Sequence, residues 1–130
     1  MSLLVPDVGE QKILEKALNA VAADDVKIHL YSSDVTPGED DTVASYTLIT
    51  DPAAITLTGT NWTVNTVTGV TTAEHAQQTF TFAGAATVYG YVVTDNGGTN
   101  LLWSERFTDG PYTIPAGGGS IKITPKIQLE

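Results

Sequence analysis

The feature that most limits this chain is a change of period. From Val26 onward, threonine, valine, isoleucine, tyrosine and tryptophan dominate and alternate with polar residues, and glycine or asparagine interrupts them every several positions. Successive side chains of a strand point to opposite faces, so a period of two suits half-buried strands and does not suit a helix. Candidate strands are 26–32 (VKIHLYS), 42–49 (TVASYTLI), 53–58 (AAITLT), 62–66 (WTVNT), 76–83 (AQQTFTFA), 87–94 (TVYGYVVT), 100–107 (NLLWSERF) and 119–129 (GSIKITPKIQL). The expected fold class is mainly β: a single sandwich of about eight strands, jelly-roll-like or hairpin-built, with one N-terminal α-helix.

That helix is the one departure from the β pattern. In 7–25 the apolar residues Val8, Ile13, Leu14, Ala17, Leu18 and Val21 recur mainly at spacings of three and four, and Asp7 with Glu10 forms a capping-box arrangement. The pattern predicts a helix over 8–22. Residues 1–25 then form an arm and amphipathic helix, residues 26–130 the sandwich, together one domain. The turns TGTN (58–61) and DNGG (95–98) are short and rich in residues that accept positive φ, so each is expected to close a hairpin within one sheet. Pro125 interrupts the last strand, which predicts an edge position or a bulge there.

Charge and composition narrow the function. Fifteen acidic against six basic residues give a net charge of -9, which repels nucleic-acid phosphates, so no nucleic-acid partner is expected. Without cysteine there is no disulfide, thiol nucleophile, thiolate zinc site or iron–sulfur cluster. The opening MSLLVPDVGEQK has no basic region or sustained apolar core, so no secretory signal is expected. Nowhere do about 18 apolar residues run together, which predicts a soluble chain with no membrane partner.

Chemistry-bearing motifs are few. Asp34, Glu39, Asp40 and Asp41 offer hard oxygens, but their spacing matches no EF-hand loop, and Pro37 and Gly38 read as an exposed, solvated turn. His29 and His75 lack an HxH or HxxxH partner. No GxSxG elbow marks a nucleophile, and the GGGS at 117–120 lacks the lysine and strand-to-helix context of a phosphate loop. The expectation is a non-enzyme with no catalytic residue, metal or cofactor. NWT at 61–63 matches a glycosylation acceptor by chance alone without a secretory signal. Trp62, Tyr89, Tyr91, Trp103, Phe107 and Tyr112 suit either a core or a sugar-stacking platform, for which Trp62, Trp103 and Tyr112 are the candidates. Tyr89, Tyr91 and Val93 are expected on one strand face, and Leu101, Trp103 and Glu105 on one face of the next. Glu105 and Arg106 then point to opposite faces, each toward a neighbouring strand or subunit.

The segments LLVPDVGEQKILEKALN, KIHLYSSDVTPGEDD, ITLTGTNWTV, VYGYVVTDNGGTNLLWSERF and IPAGGGSIKITPKIQL together resemble small virion structural proteins of tailed bacteriophages, over nearly the whole chain. The nearest likeness is to capsid decoration, or cement, proteins. That resemblance implies a β-rich domain made in the bacterial host cytoplasm and placed on the capsid surface. There it would be a homotrimer that binds and braces the major capsid protein. It carries over no site residues. Contacts with the capsid or between subunits are expected from residues 2–22, through Leu3, Leu4, Val5, Ile13, Leu14 and Leu18, and from the strand around Pro125. A carbohydrate- or receptor-binding module of a tail fibre or spike is the alternative.

Overall fold

The computed structural model describes Leu14, Ala17, Leu18 and residues 25–129. Among them the fold is mainly β, built from eleven strands: β1 (Val26–Tyr31), β2 (Ile55–Leu57), β3 (Trp62–Val67), β4 (Val70–His75), β5 (Gln78–Phe82), β6 (Ala86–Val88), β7 (Gly90–Thr94), β8 (Leu101–Arg106), β9 (Tyr112–Ile114), β10 (Gly119–Ile123) and β11 (Lys126–Leu129). All seven strand pairings are antiparallel. One sheet has the order β2-β1-β7-β8; the others are β11-β4-β3, β10-β5 and β6-β9.

Two of these sheets run on from one another. β4 leads into β5 as β10 leads into β11, but residues 75–77 lie opposite only 124–125 between the flanking pairs Glu74↔Lys126 and Gln78↔Ile123. The extra residue is a bulge, and the Pro125 carbonyl still accepts a bond from the His75 N–H at 2.9 Å. Proline, which has no N–H to give, sits where the ladder is already broken. Pro125 is also fully buried within its own chain, so its ring is not the outward contact expected of it.

A single cluster of buried apolar side chains draws on both sides. Val26, Ile28, Leu30, Leu57, Tyr91 and Val93 come from the four-stranded sheet. Trp62, Ala73, Phe80, Phe82 and Ile123 come from the β3–β4–β5–β10–β11 ribbon. Full burial of each large member contributes about 1.5–3 kcal/mol. The opposite face of the ribbon, by contrast, presents Thr63, Asn65, Glu74, Thr79, Thr81, Ser120, Lys122 and Gln128 to solvent. Leu14 and Leu18 belong to the same core cluster and are buried within the chain. Most of the helix expected over 8–22 lies outside the described residues, as do Leu3, Leu4, Val5 and Ile13; Leu14, Ala17 and Leu18 have helical conformation.

Several expectations change. Segment 42–49 is not a strand: Thr42 and Ser45 satisfy each other's backbone N–H groups through their hydroxyls and wind Val43–Ser45 into a 3-10 turn. Local side-chain bonding of this kind competes with a ladder. Only Leu48 makes a bridge, to Tyr31. TGTN closes no hairpin. A 3-10 turn at Gly59–Asn61 instead carries the chain from β2 in one sheet to β3 in another. DNGG does join β7 and β8 as a hairpin. Segment 87–94 divides at Tyr89, and β4 and β9 arise where no strand was expected.

A second bulge re-aims β8. Val93 pairs with Trp103 but Thr94 pairs with Leu101, so Leu102 is unpaired and 48% exposed. Trp103 packs on the core, whereas Leu101 packs with Tyr31, Tyr46 and Val92 on the other face. The shared face expected for Leu101 and Trp103 is broken by that single residue.

Gly90, between Tyr31 and Arg106 on the neighbouring strands, is fixed by packing. A Cβ there would collide with the Glu105 carbonyl and lie 2.6 Å from the Tyr31 hydroxyl oxygen. Gly90→Ala is expected to lower stability by about 3 kcal/mol or more, read by urea unfolding. A loss below about 1 kcal/mol would contradict the packing described.

Candidate functional site

Polar side chains gather first where residues 32–48 lie over the outer face of the four-stranded sheet. Tyr31, Tyr46 and Val92 are buried there, with Val35, Leu48, Tyr89 and Leu101 against them, and the Tyr31 and Tyr46 rings meet edge to face at 4.8 Å. The Tyr46 hydroxyl donates to Asp41 Oδ2 at 2.7 Å and lies 3.0 Å from Ser104 Oγ. Asp41 Oδ2 also accepts from the Gly38 N–H at 2.8 Å. These donors hold the Asp41 carboxyl below the usual carboxylate range, the Tyr46 hydroxyl foremost. Burial, reinforced by the Tyr46 neighbour, pushes Tyr31 up to about 12. Arg106 pairs with Asp34 at 2.6 Å and lies over the Tyr89 ring at 5.2 Å, fastening the other end of the segment.

On the core side Glu105 accepts from the Tyr91 hydroxyl at 2.6 Å, so Glu105 and Arg106 do serve opposite faces. Burial, then the Glu105 carboxylate, drives the Tyr91 pKa far upward. His75 is 2% exposed. Its Nε2 is 3.1 Å from the Thr58 carbonyl, and its Nδ1 is 3.2 Å from Gln78 Nε2 and 2.9 Å from the Ala76 carbonyl. It therefore ties the crossover turn before β3 to the bulge after β4. Buried Asp25 accepts from the Gly59 N–H at 2.9 Å in that same turn. His29 is elsewhere, on the outer face of β1, 3.0 Å from Thr94 Oγ1. Among the described residues, no three of His, Cys, Asp and Glu are grouped so that they could hold a metal ion.

The aromatic platform is not assembled. Trp62 is buried in the core, its ring 5.1 Å from His75 and 6.3 Å from Trp103, which also packs against the core. Of the three candidates only Tyr112 is an exposed large hydrophobic residue, at 39%. Its ring is backed by Phe107 at 5.0 Å. DNGG is also structural: Asp95 Oδ1 accepts from the Thr99 and Asn100 N–H groups, and Oδ2 accepts from the Asn100 side chain.

The remaining open feature is a groove of about 380 Å³ lined by Tyr112, Thr113, Ile114, Ser120, Ile121 and Lys122. It lies between β9 and β10, the strands on either side of the 115–118 turn. β9 pairs only with β6 and β10 only with β5. The turn depends on Gly118, whose φ of 86° and close approach to Phe82 O exclude a side chain. Each wall strand belongs to a two-stranded sheet among the described residues. Sequence reasoning pointed to Tyr112 alone. The usable signal was the uncharged run 110–121 with glycines at its centre. A smaller polar depression of about 320 Å³ on β3 and β4 is lined by Thr63, Asn65, Thr72 and Glu74. No protein-family model, curated protein or solved structure matches the chain.

Two measurements test this account. Tyr46→Phe removes the bonds to Asp41 and Ser104 and is expected to cost about 1–3 kcal/mol, with faster amide exchange confined to 32–48. Exchange unchanged in that segment would show that the hydroxyl does not hold it. Burial, then Lys27, lowers the His29 pKa below 6.5, so the unfolded chain binds the proton more readily. Stability is therefore expected to fall as pH drops through 6.5 toward the lower folded value, and His29→Gln should flatten that limb of a melting-temperature profile.

Proposed function

We propose that the chain is a tailed-bacteriophage virion structural protein, a capsid decoration protein that binds the major capsid protein and itself. In this reading it is a β-sandwich with a structural and not a catalytic role, made in the host cytoplasm and carried on the capsid surface as a homotrimer. The shared core cluster supports the sandwich, since the four-stranded sheet and the β3–β4–β5–β10–β11 ribbon bury their apolar faces together.

The observation that carries the functional reading is where the resembling segments fall. ITLTGTNWTV spans β2, the crossover turn and the start of β3, and VYGYVVTDNGGTNLLWSERF spans the end of β6 and the β7–β8 hairpin. IPAGGGSIKITPKIQL spans the end of β9, the turn, β10 and β11. Three of the five resembling segments thus lie in the frame of the fold; KIHLYSSDVTPGEDD covers most of β1 and then the irregular stretch 32–41, and LLVPDVGEQKILEKALN lies almost wholly outside the described residues. The polar groups within that frame, among them Asp95, Glu105 and Arg106, are used in bonds that hold it. Rigid frame and exposed edges suit a small domain that braces a shell.

The test is to add the purified chain to expanded empty capsids of the phage that encodes it. Saturable binding and a higher capsid melting temperature are expected. Absence of binding, or recovery of the chain in tail fibres with binding to a host glycan, would overturn the capsid reading in favour of a tail module.

A further inference from the structure

Three long stretches of this chain carry no charged residue, 52–73, 75–94 and 110–121, and two of them hold an exposed large apolar side chain: the one between Asp51 and Glu74 and the one between Asp109 and Lys122. With a net charge of -9, copies of the chain repel one another except where neutral surfaces meet. The first stretch contains the β3–β4 hairpin, which ends in the tight turn Val67-Thr68-Gly69-Val70, with positive φ at Thr68 (51°) and Gly69 (77°). The stretch 110–121 supplies five of the six residues that line the groove between β9 and β10, the sixth being Lys122. Among the described residues the exposed large apolar side chains are Val67 (63%), Leu102 and Tyr112. One therefore stands on the hairpin tip and one in the groove.

Tip and groove cannot meet within one molecule. Val70 starts β4, and Phe80, which pairs with Ile121 in the groove wall, lies beyond the bulge in β5. At about 3.3 Å per residue, the path along β4 and β5 from tip to groove wall runs roughly 30 Å, with the bulge at 75–77 partway. Each copy thus presents an uncharged apolar projection at one end of the ribbon and, at the other, an open groove lined by no acidic residue, with Lys122 as its one charged lining residue.

We propose that copies of this chain associate head to tail, the Val67–Val70 tip of one seated between β9 and β10 of the next, with Val67 against Ile114, Ile121 and the Tyr112 ring. The contact is heterologous, so it closes into a ring when the rotation per copy permits and otherwise continues as a filament. Salt screens the repulsion between acidic copies and strengthens the assembly. The inference rests on the self-association part of the function proposed above and is independent of capsid binding.

Sedimentation velocity of the full chain, at rising concentration and salt, tests it with charges placed on either surface. Val67→Asp or Thr68→Asp blocks the tip; Ser120→Glu or Thr113→Glu blocks the groove; thermal melts identify the variants that remain folded. Wild type is expected to associate, and each folded variant alone to sediment as a monomer, its association weakened at least about tenfold, equivalent to about 1.4 kcal/mol. An equimolar mixture of a tip variant and a groove variant should give a dimer and nothing larger, because it retains one intact tip and one intact groove. A wild type that stays monomeric at every salt, a folded variant that associates normally, or a mixture that yields no dimer would overturn the proposal. Variants that lose self-association yet decorate capsids would leave the capsid reading standing, and the reverse result would leave this one.

Discussion

All five residues of β7 are buried, and the rest of the molecule is arranged to make that possible. A central strand exposes two faces, and an antiparallel sheet normally leaves one of them to water. Here the core covers one face and the 32–48 segment covers the other. Water is therefore excluded from the whole β1–β7–β8 centre, which is why Val92 and Thr94 are as inaccessible as Val93. A cover without regular structure must find partners for its own polar groups. The Tyr46–Asp41–Ser104 bonds, the Thr42–Ser45 turn and the Arg106–Asp34 pair supply them.

The same demand accounts for the irregularities. β8 has to offer Trp103 to the core and Leu101 to the cover, a combination that strict alternation forbids and the Leu102 bulge allows. The bulge at 75–77 bends the ribbon at the position of Pro125, and His75 fills the corner it makes. Gly90 leaves room for the Tyr31 ring beneath the cover. Each departure from ideal β geometry is tied to a side chain that needs a particular face.

Much of the frame was legible in the sequence, because strands such as β1, β3 and β5 alternate apolar and polar residues and DNGG has the chemistry of a hairpin turn. What escaped did so for physical reasons. β4 buries Thr71, Ala73 and His75, which are polar or small, so no apolar alternation announces it. Segment 42–49 has the composition of a strand, but the hydroxyls of Thr42 and Ser45 bond locally, and the segment meets β1 only around the Leu48–Tyr31 bridge. TGTN reads as a hairpin turn in isolation, yet its direction is set by buried Asp25 and His75, distant in sequence. For the candidate site, composition suggested three aromatic rings, and tertiary packing leaves one of them open beside a gap between strand edges that no local pattern encodes.

The two broad faces of the molecule differ in kind: the four-stranded sheet is sealed by the 32–48 segment, while the ribbon ends in a bare array of threonine, serine, asparagine, glutamine and lysine side chains. That difference gives the folded chain a built-in up and down. The bare side is uniformly polar and strongly hydrated. The sealed side carries the acidic 34–41 stretch and its long irregular outline. A body of this kind laid on any surface has its orientation decided before contact, by the water each face holds.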